Sequence, residues 1–239
     1  MVEELKDIPL LILAGGKATR LKGLSADTPK YLMPLDGKTC FADFHLSWAR
    51  DQGFKRIILS LGHLAEKIQS HIGDGSRYGL EVSYLLDGDT PRGTGGALTQ
   101  SLTQDFQTLA ITYGDTILNL DSKALVRLLN STQLPALMTV YENKVADHRP
   151  NCDFKNTLVT YDKSSPEANW RYIDYGFLIL KRSVIESFPN KTPLDLAEPM
   201  STLSRQNGVL GFEATERFWE IGTPESLAEF RKHFGFSTT

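Results

Sequence analysis

The chain has 239 residues, 41% of them hydrophobic and 23% charged, and a net charge of -3 at pH 7. That length and apolar content allow one large α/β domain with an ample core, or two small ones, and the slightly acidic balance gives no electrostatic case for nucleic acid. No run approaches the roughly 20 apolar residues of a membrane span, residues 1–7 do not read as a signal peptide, and Cys40 and Cys152, without C-x-x-C spacing, fit a reduced cytoplasmic protein with neither a disulfide framework nor a zinc site.

The first element sets the reading. Leu10-Leu11-Ile12-Leu13-Ala14 is an unbroken apolar run, which predicts a strand buried on both faces, and it stops at Gly15-Gly16. Two glycines let the backbone turn tightly and approach a ligand without a side chain intervening. Thr19, Arg20 and Lys30 then add a hydroxyl, a forked cation and a point cation, a set suited to a polyphosphate. A Walker A loop would need a glycine at Leu11 and Ser or Thr at Ala18, and a G-x-G-x-x-G fingerprint does not fit residues 15–20 either.

The spacing predicts a helix over 41–52 closed by Gly53, a strand over 54–62, a helix over 64–72 and a strand over 80–86. Strand and helix alternating in this way imply parallel βαβ units. Arg92-Gly93-Thr94-Gly95-Gly96-Ala97 opens the next helix. A glycine-rich helix start suits either an anion or base edge, or a close helix-to-strand contact. Residues 109–115 form a buried strand that delivers Gly114 and Asp115 at its carboxyl end, where open α/β sheets place ligands. A short helix over 122–129 and a strand over 135–141 follow. The polar segment 142–156, with Asp147 and His148, reads as a loop or lid, and strands are expected over 157–161, 171–180 and 209–213. A helix over 195–205 and a final helix beginning at Thr223-Pro224 complete the chain, with Thr223 as N-cap.

Taken in order, Gly15-Gly16-Lys17-Ala18-Thr19-Arg20-Leu21 with Pro29-Lys30, then Gly93-Thr94-Gly95-Gly96-Ala97, Gly114-Asp115 and Phe218-Trp219-Glu220-Ile221-Gly222-Thr223-Pro224 resemble the signature of the sugar-1-phosphate nucleotidyltransferases. There are two departures: Ala18 stands where that family usually has Gly, and Glu220 where it has Asp, an arm longer by roughly 1.5 Å. The resemblance runs nearly the whole length and looks most similar to short heptose-1-phosphate guanylyltransferases. It implies a Rossmann-like α/β fold, a mainly parallel mixed sheet flanked by helices, in a single domain whose nucleotide half is 1–120 and sugar-phosphate half 121–239.

It also implies roles. The Leu13 to Gly16 backbone, Thr19, Gly95, Gly96 and Asp115 would contact the nucleotide. Arg20 and Lys30 would be catalytic, and Asp115 and Glu220 would hold Mg²⁺. Lys163, after Asp162 where relatives have Glu, together with Asp174 and Gly114, would meet the second substrate. Asp174 replaces a usual Asn and accepts hydrogen bonds from hydroxyls without donating. The implied partners are an NTP, GTP in preference, and a sugar 1-phosphate of heptose or mannose type, with UTP- or CTP-dependent transfer to another sugar phosphate as the alternative within the family and a homodimer as a family-level expectation. Two other classes stay open on the residues: a nucleotide-binding regulator on the same fold, permitted by Ala18 and Glu220, and a glycosyltransferase, suggested by the D-x-D look of Asp87-Gly88-Asp89.

Overall fold

The computed structural model describes residues 3–16, 21, 27–88, 90–143 and 149–237. Its main sheet contains nine strands among the described residues: β1 (Leu10–Leu13), β2 (Arg56–Leu61), β3 (Glu81–Leu86), β4 (Thr108–Tyr113), β6 (Ala136–Glu142), β7 (Cys152–Lys155), β8 (Leu158–Tyr161), β9 (Tyr172–Lys181) and β10 (Val209–Ala214). Their order is β3-β2-β1-β4-β9-β6-β10-β8-β7. The first four strands are mutually parallel. The long strand β9 then enters antiparallel to both β4 and β6, and joins the two halves of the chain into one sheet. A separate ribbon of two residues a side pairs β5 (Thr116–Ile117) with β11 (Trp219–Glu220).

Alternation along β1 shows why its residues are all apolar. Leu10 and Ile12 pack into one core with Phe41 and Leu46 of α1 (Phe41–Gln52), Ile68 of α2 (Ala65–Ile72), Leu125 of α4 (Ser122–Asn130) and Phe230 of α7 (Pro224–Phe234). Leu11 faces a second core with Leu98 of α3 (Gly93–Ser101), Ile185 of α5 (Arg182–Glu186) and Met200 of α6 (Ala197–Arg205). All three β1 residues are fully buried, and each such side chain contributes about 1.5–3 kcal/mol of burial. A charge at any of the three would have to sit in one of these cores.

Two expectations change. The segment read as a loop over 142–156 contains β7, which pairs with β8 through a tight turn in which Asn156 and Thr157 adopt φ of 50° and 65°. Cys152 and Phe154 alternate with polar residues, enough for one half-buried strand, whereas Thr157, taken as a strand start, is the turn itself. Asp147 and His148 lie outside the described residues. The ribbon β5–β11 is too short for any periodicity to announce it.

Candidate active site

The carboxyl ends of β1, β3 and β4 meet at one edge of the sheet and enclose a cavity of about 400 Å³. Leu13, Ala14, Gly15 and Gly16 supply one wall and Gly114 and Asp115 another, with Lys30 beside Asp115 and the Asp87 carboxylate beside Gly15. The two walls approach so closely that a Cβ on Gly114 would fall 2.8 Å from the Cβ of Ala14 and 3.0 Å from the Leu13 carbonyl oxygen. Only glycine fits there. Lys30 Nζ stands 2.6 Å from Asp115 Oδ2, with side-chain exposures of 14% and 28%, and the Thr116 hydroxyl donates to Asp115 Oδ1 at 2.9 Å.

Glu220 reaches this neighbourhood through the ribbon. It lies opposite Thr116, and the Ile221 N–H donates to the Asp115 carbonyl at 3.0 Å. The two acids, 105 residues apart, thus occupy adjacent rungs. Glu220 is half-buried, is not part of the cavity wall, and its carboxylate makes no ion pair or hydrogen bond with a described residue. Asp87, at the end of β3, carries a carboxyl raised above the usual range, chiefly by burial, with the Arg92 N–H and guanidinium acting the other way.

Thr94 and Tyr113 are shared with a second cavity of about 250 Å³, so the two spaces adjoin. Asp174 sits in its wall. Its Oδ1 accepts from the Gly176 N–H at 2.9 Å, its Oδ2 from the Tyr113 hydroxyl at 3.3 Å, and its own N–H donates to Asn151 Oδ1 at 2.8 Å. Burial raises the Asp174 carboxyl despite those donors. The nearby Asp174 charge, followed by burial, raises the Tyr113 phenol well above its ordinary value. Lys163 Nζ lies 3.2 Å from Asp195 Oδ2 on the same wall. Burial acts to raise Asp195, but the Ala197 N–H and Lys163 outweigh it and hold the carboxyl low. The surface is therefore acidic and rich in hydroxyls, with one lysine already shared.

A family model described as nucleotidyl transferase matches residues 10–151, more than half of the chain and including β1, Lys30 and Asp115. The chain belongs to the nucleotidyl transferase family. It is 31% identical to the D-glycero-α-D-manno-heptose 1-phosphate guanylyltransferase of Aneurinibacillus thermoaerophilus, over 93% of this chain and 96% of that one. It is 27% identical to the N-acetylmuramate α-1-phosphate uridylyltransferase of Neisseria meningitidis, over 92% and 95%. It spans 52% of the UTP-glucose-1-phosphate uridylyltransferase of Synechocystis, at 28% identity over 78% of its own length. The structure of HddC from Yersinia pseudotuberculosis complexed with GMP-PN superposes with a TM-score of 0.78 at 25% identity, covering 95% of this chain and 99% of that one.

In this nucleotidyltransferase family enzyme the expected site residues fall in several places, with Glu220 on the ribbon outside both cavities. Leu13, Ala14, Gly15, Gly16, Lys30, Gly114 and Asp115 line the first cavity, and Lys163 and Asp174 the second. Thr19 and Arg20 lie outside the described residues. Gly95 and Gly96 line neither cavity. Their N–H groups both donate to the Leu194 carbonyl, at 2.8 and 3.3 Å, and a Cβ on Gly95 would fall 2.6 Å from Leu194 Cγ. They serve the close packing of α3, and the cavity wall takes Gly93, Thr94 and Ala97 from the same motif instead. Sequence reasoning passed over Tyr113, Asn151 and Asp195, and treated Asp87 only as part of a D-x-D turn. For Asp87 a signal existed, because it follows a parallel strand just as Asp115 does. Asp195 carried none, since its partner Lys163 is 32 residues away.

Proposed function

We propose that the protein transfers the nucleoside monophosphate of an NTP, GTP in preference, to a sugar 1-phosphate of heptose or mannose type, releasing pyrophosphate. The observation that carries this reading is the Lys30–Asp115 pair on the wall of one cavity that adjoins a second, hydroxyl-lined one through Thr94 and Tyr113. The nucleophile, a phosphate oxygen, is already anionic, so no base is needed to activate it. What the site has to overcome is repulsion between two polyanions. The Gly15–Gly16 backbone, Thr19 and Arg20 hold the triphosphate. Lys30 exchanges Asp115 for oxygens of the α-phosphate and of the incoming sugar phosphate. Lys163 and Asp174 orient the sugar.

Asp115 and Glu220 offer hard carboxylate oxygens on adjacent rungs of the ribbon, and Glu220 has no described partner to give up, a donor set that fits Mg²⁺. Bound there, the ion would neutralise charge on the phosphates. The preference for GTP rests on Asp87: a carboxylate matches the paired N1–H and N2–H donors of guanine, whereas uracil offers one N–H between two carbonyl oxygens that a carboxylate repels. The guanylyltransferase relative supports the same choice. The test is a panel of four NTPs against several sugar 1-phosphates with Mg²⁺. Pyrophosphate is expected only when both substrates are present, fastest with GTP. Silence across the panel overturns the transferase reading, and turnover with UTP alone overturns the base assignment.

A further inference from the structure

Away from the cavity, Cys40 caps the start of α1, Asp43 lies one turn into that helix, and His71 comes from the last turn of α2. Among the described residues this is the one place where three such donor atoms lie within 4.8 Å of one another. Cys40 Sγ is 3.0 Å from Asp43 Oδ2 and 3.3 Å from His71 Nε2, and Nε2 is 2.9 Å from Asp43 Oδ1. We propose that Cys40, Asp43 and His71 form a zinc site of three protein ligands that is independent of the nucleotide-binding cavity. The spacing of the two cysteines argues against zinc on sequence alone. The fold overrides that by bringing in a histidine 31 residues away.

The donor chemistry selects the metal. A thiolate, an imidazole and a carboxylate suit Zn²⁺, whereas Mg²⁺ takes oxygen ligands. With bonds of about 2.3 Å to sulfur and 2.0–2.1 Å to nitrogen and oxygen in tetrahedral geometry, donor atoms sit about 3.3–3.6 Å apart. The Cys40–His71 separation meets that spacing, and each of the two lies within about half an ångström of it from one oxygen of Asp43, Oδ2 for Cys40 and Oδ1 for His71, so the carboxylate has to turn a single oxygen towards both. Asp43 is oriented by a surrounding set of donors: the Tyr78 hydroxyl at 2.6 Å and Arg77 at 3.0 Å on Oδ1, and the Cys40 N–H at 2.9 Å on Oδ2. Such outer contacts fix a ligating carboxylate. His71 also borders an open groove with Leu32, Glu66, Lys67 and Ser70, and water would complete the coordination. Binding releases the Cys40 thiol proton to solvent, and His71 ligates as neutral imidazole. The Phe41 N–H donates to the Met33 carbonyl at 2.9 Å, and Pro34 bridges to Cys40, so an ion here would steady the segment that carries Lys30.

The test titrates Zn²⁺ into the chelator-treated full-length chain by calorimetry. One equivalent is expected to bind with submicromolar Kd, and at a hundredfold excess over Kd to raise the melting temperature by about 5–10 °C. Cys40→Ser and His71→Gln should each weaken binding at least about 100-fold, while Asp115→Asn keeps it and excess Mg²⁺ does not compete. Co²⁺ gives a readout that needs no variant. A cobalt–thiolate charge-transfer band reports Cys40, because Cys152, the other thiol, is fully buried in the core. No stoichiometric binding, binding that survives both substitutions, or a Co²⁺ complex without the thiolate band would overturn the site.

Discussion

Replacing Lys30 by alanine separates the role of this side chain in transfer from its role in the fold. At 14% and 28% exposure the Lys30–Asp115 pair is largely withdrawn from water. Two unit charges about 4 Å apart attract by about 4 kcal/mol at an effective dielectric constant of about 20. Removing one partner leaves the Asp115 charge largely withdrawn from water without its counter-charge, so Lys30→Ala is expected to cost up to about 3 kcal/mol of stability, or about 6–12 °C in melting temperature. Catalysis should suffer more, because in the proposed transfer the lysine charge faces a phosphate whose negative charge is redistributed. Removing one preorganised donor of this kind lowers kcat by about 10²–10³-fold. The KM for NTP should move less than about threefold, since on the proposed assignment Arg20 and the glycine backbone hold the ground state. Continuous pyrophosphate detection gives kcat and KM separately, and a thermal melt gives stability. A variant with unchanged kcat, or one in which only KM rises, would remove Lys30 from the transfer step.

Asp87→Asn should lower kcat/KM for GTP by about 10–100-fold, the worth of a bidentate base contact, and leave UTP little changed; equal losses for both bases would show that Asp87 does not read the base. Gly114→Ala forces a Cβ to 2.8 Å from Ala14 and should cost about 1–3 kcal/mol of stability, measured by denaturant unfolding; an unaltered midpoint would mean the two strands separate freely. His45 is fully buried with both ring nitrogens unpartnered, and burial pushes its pKa down to about 3. The unfolded chain takes up that proton below about pH 6.5 and the folded one does not, so stability falls as pH drops from about 6.5 towards 3. The loss amounts to about 2 kcal/mol between pH 7 and pH 5. His45→Leu should flatten that slope, and a variant with the wild-type slope would place the acid sensitivity elsewhere.

The parts of the site legible in the sequence are those where one short stretch carries both the strand and the ligand group. Leu10–Leu13 ending in Gly15-Gly16, and Thr108–Tyr113 ending in Gly114-Asp115, announce themselves because strands buried on both faces carry no charged residue until the chain emerges at the sheet edge. The same logic applied to β3 would have found Asp87. What stayed hidden depends on distance along the chain. Lys163 and Asp195 meet only because α6 packs beside β8, and Glu220 reaches Asp115 through a ribbon of two residues a side. The glycines of α3 carried two readings of equal merit, and the packing of Gly95 and Gly96 against the Leu194 carbonyl was not legible in the sequence. The antiparallel seam at β9 was likewise invisible, since its apolar run suits either direction of pairing.

The most direct measurement follows the oxygen atoms. With a sugar 1-phosphate carrying ¹⁸O on every phosphate oxygen, GTP and Mg²⁺, mass spectrometry of the products is expected to show all of the label in the nucleotide sugar and none in pyrophosphate, as attack by a sugar-phosphate oxygen on the α-phosphorus requires. Label in pyrophosphate, or no nucleotide sugar at all, would contradict a site in which Lys30 and the two acids gather around one chain of phosphates.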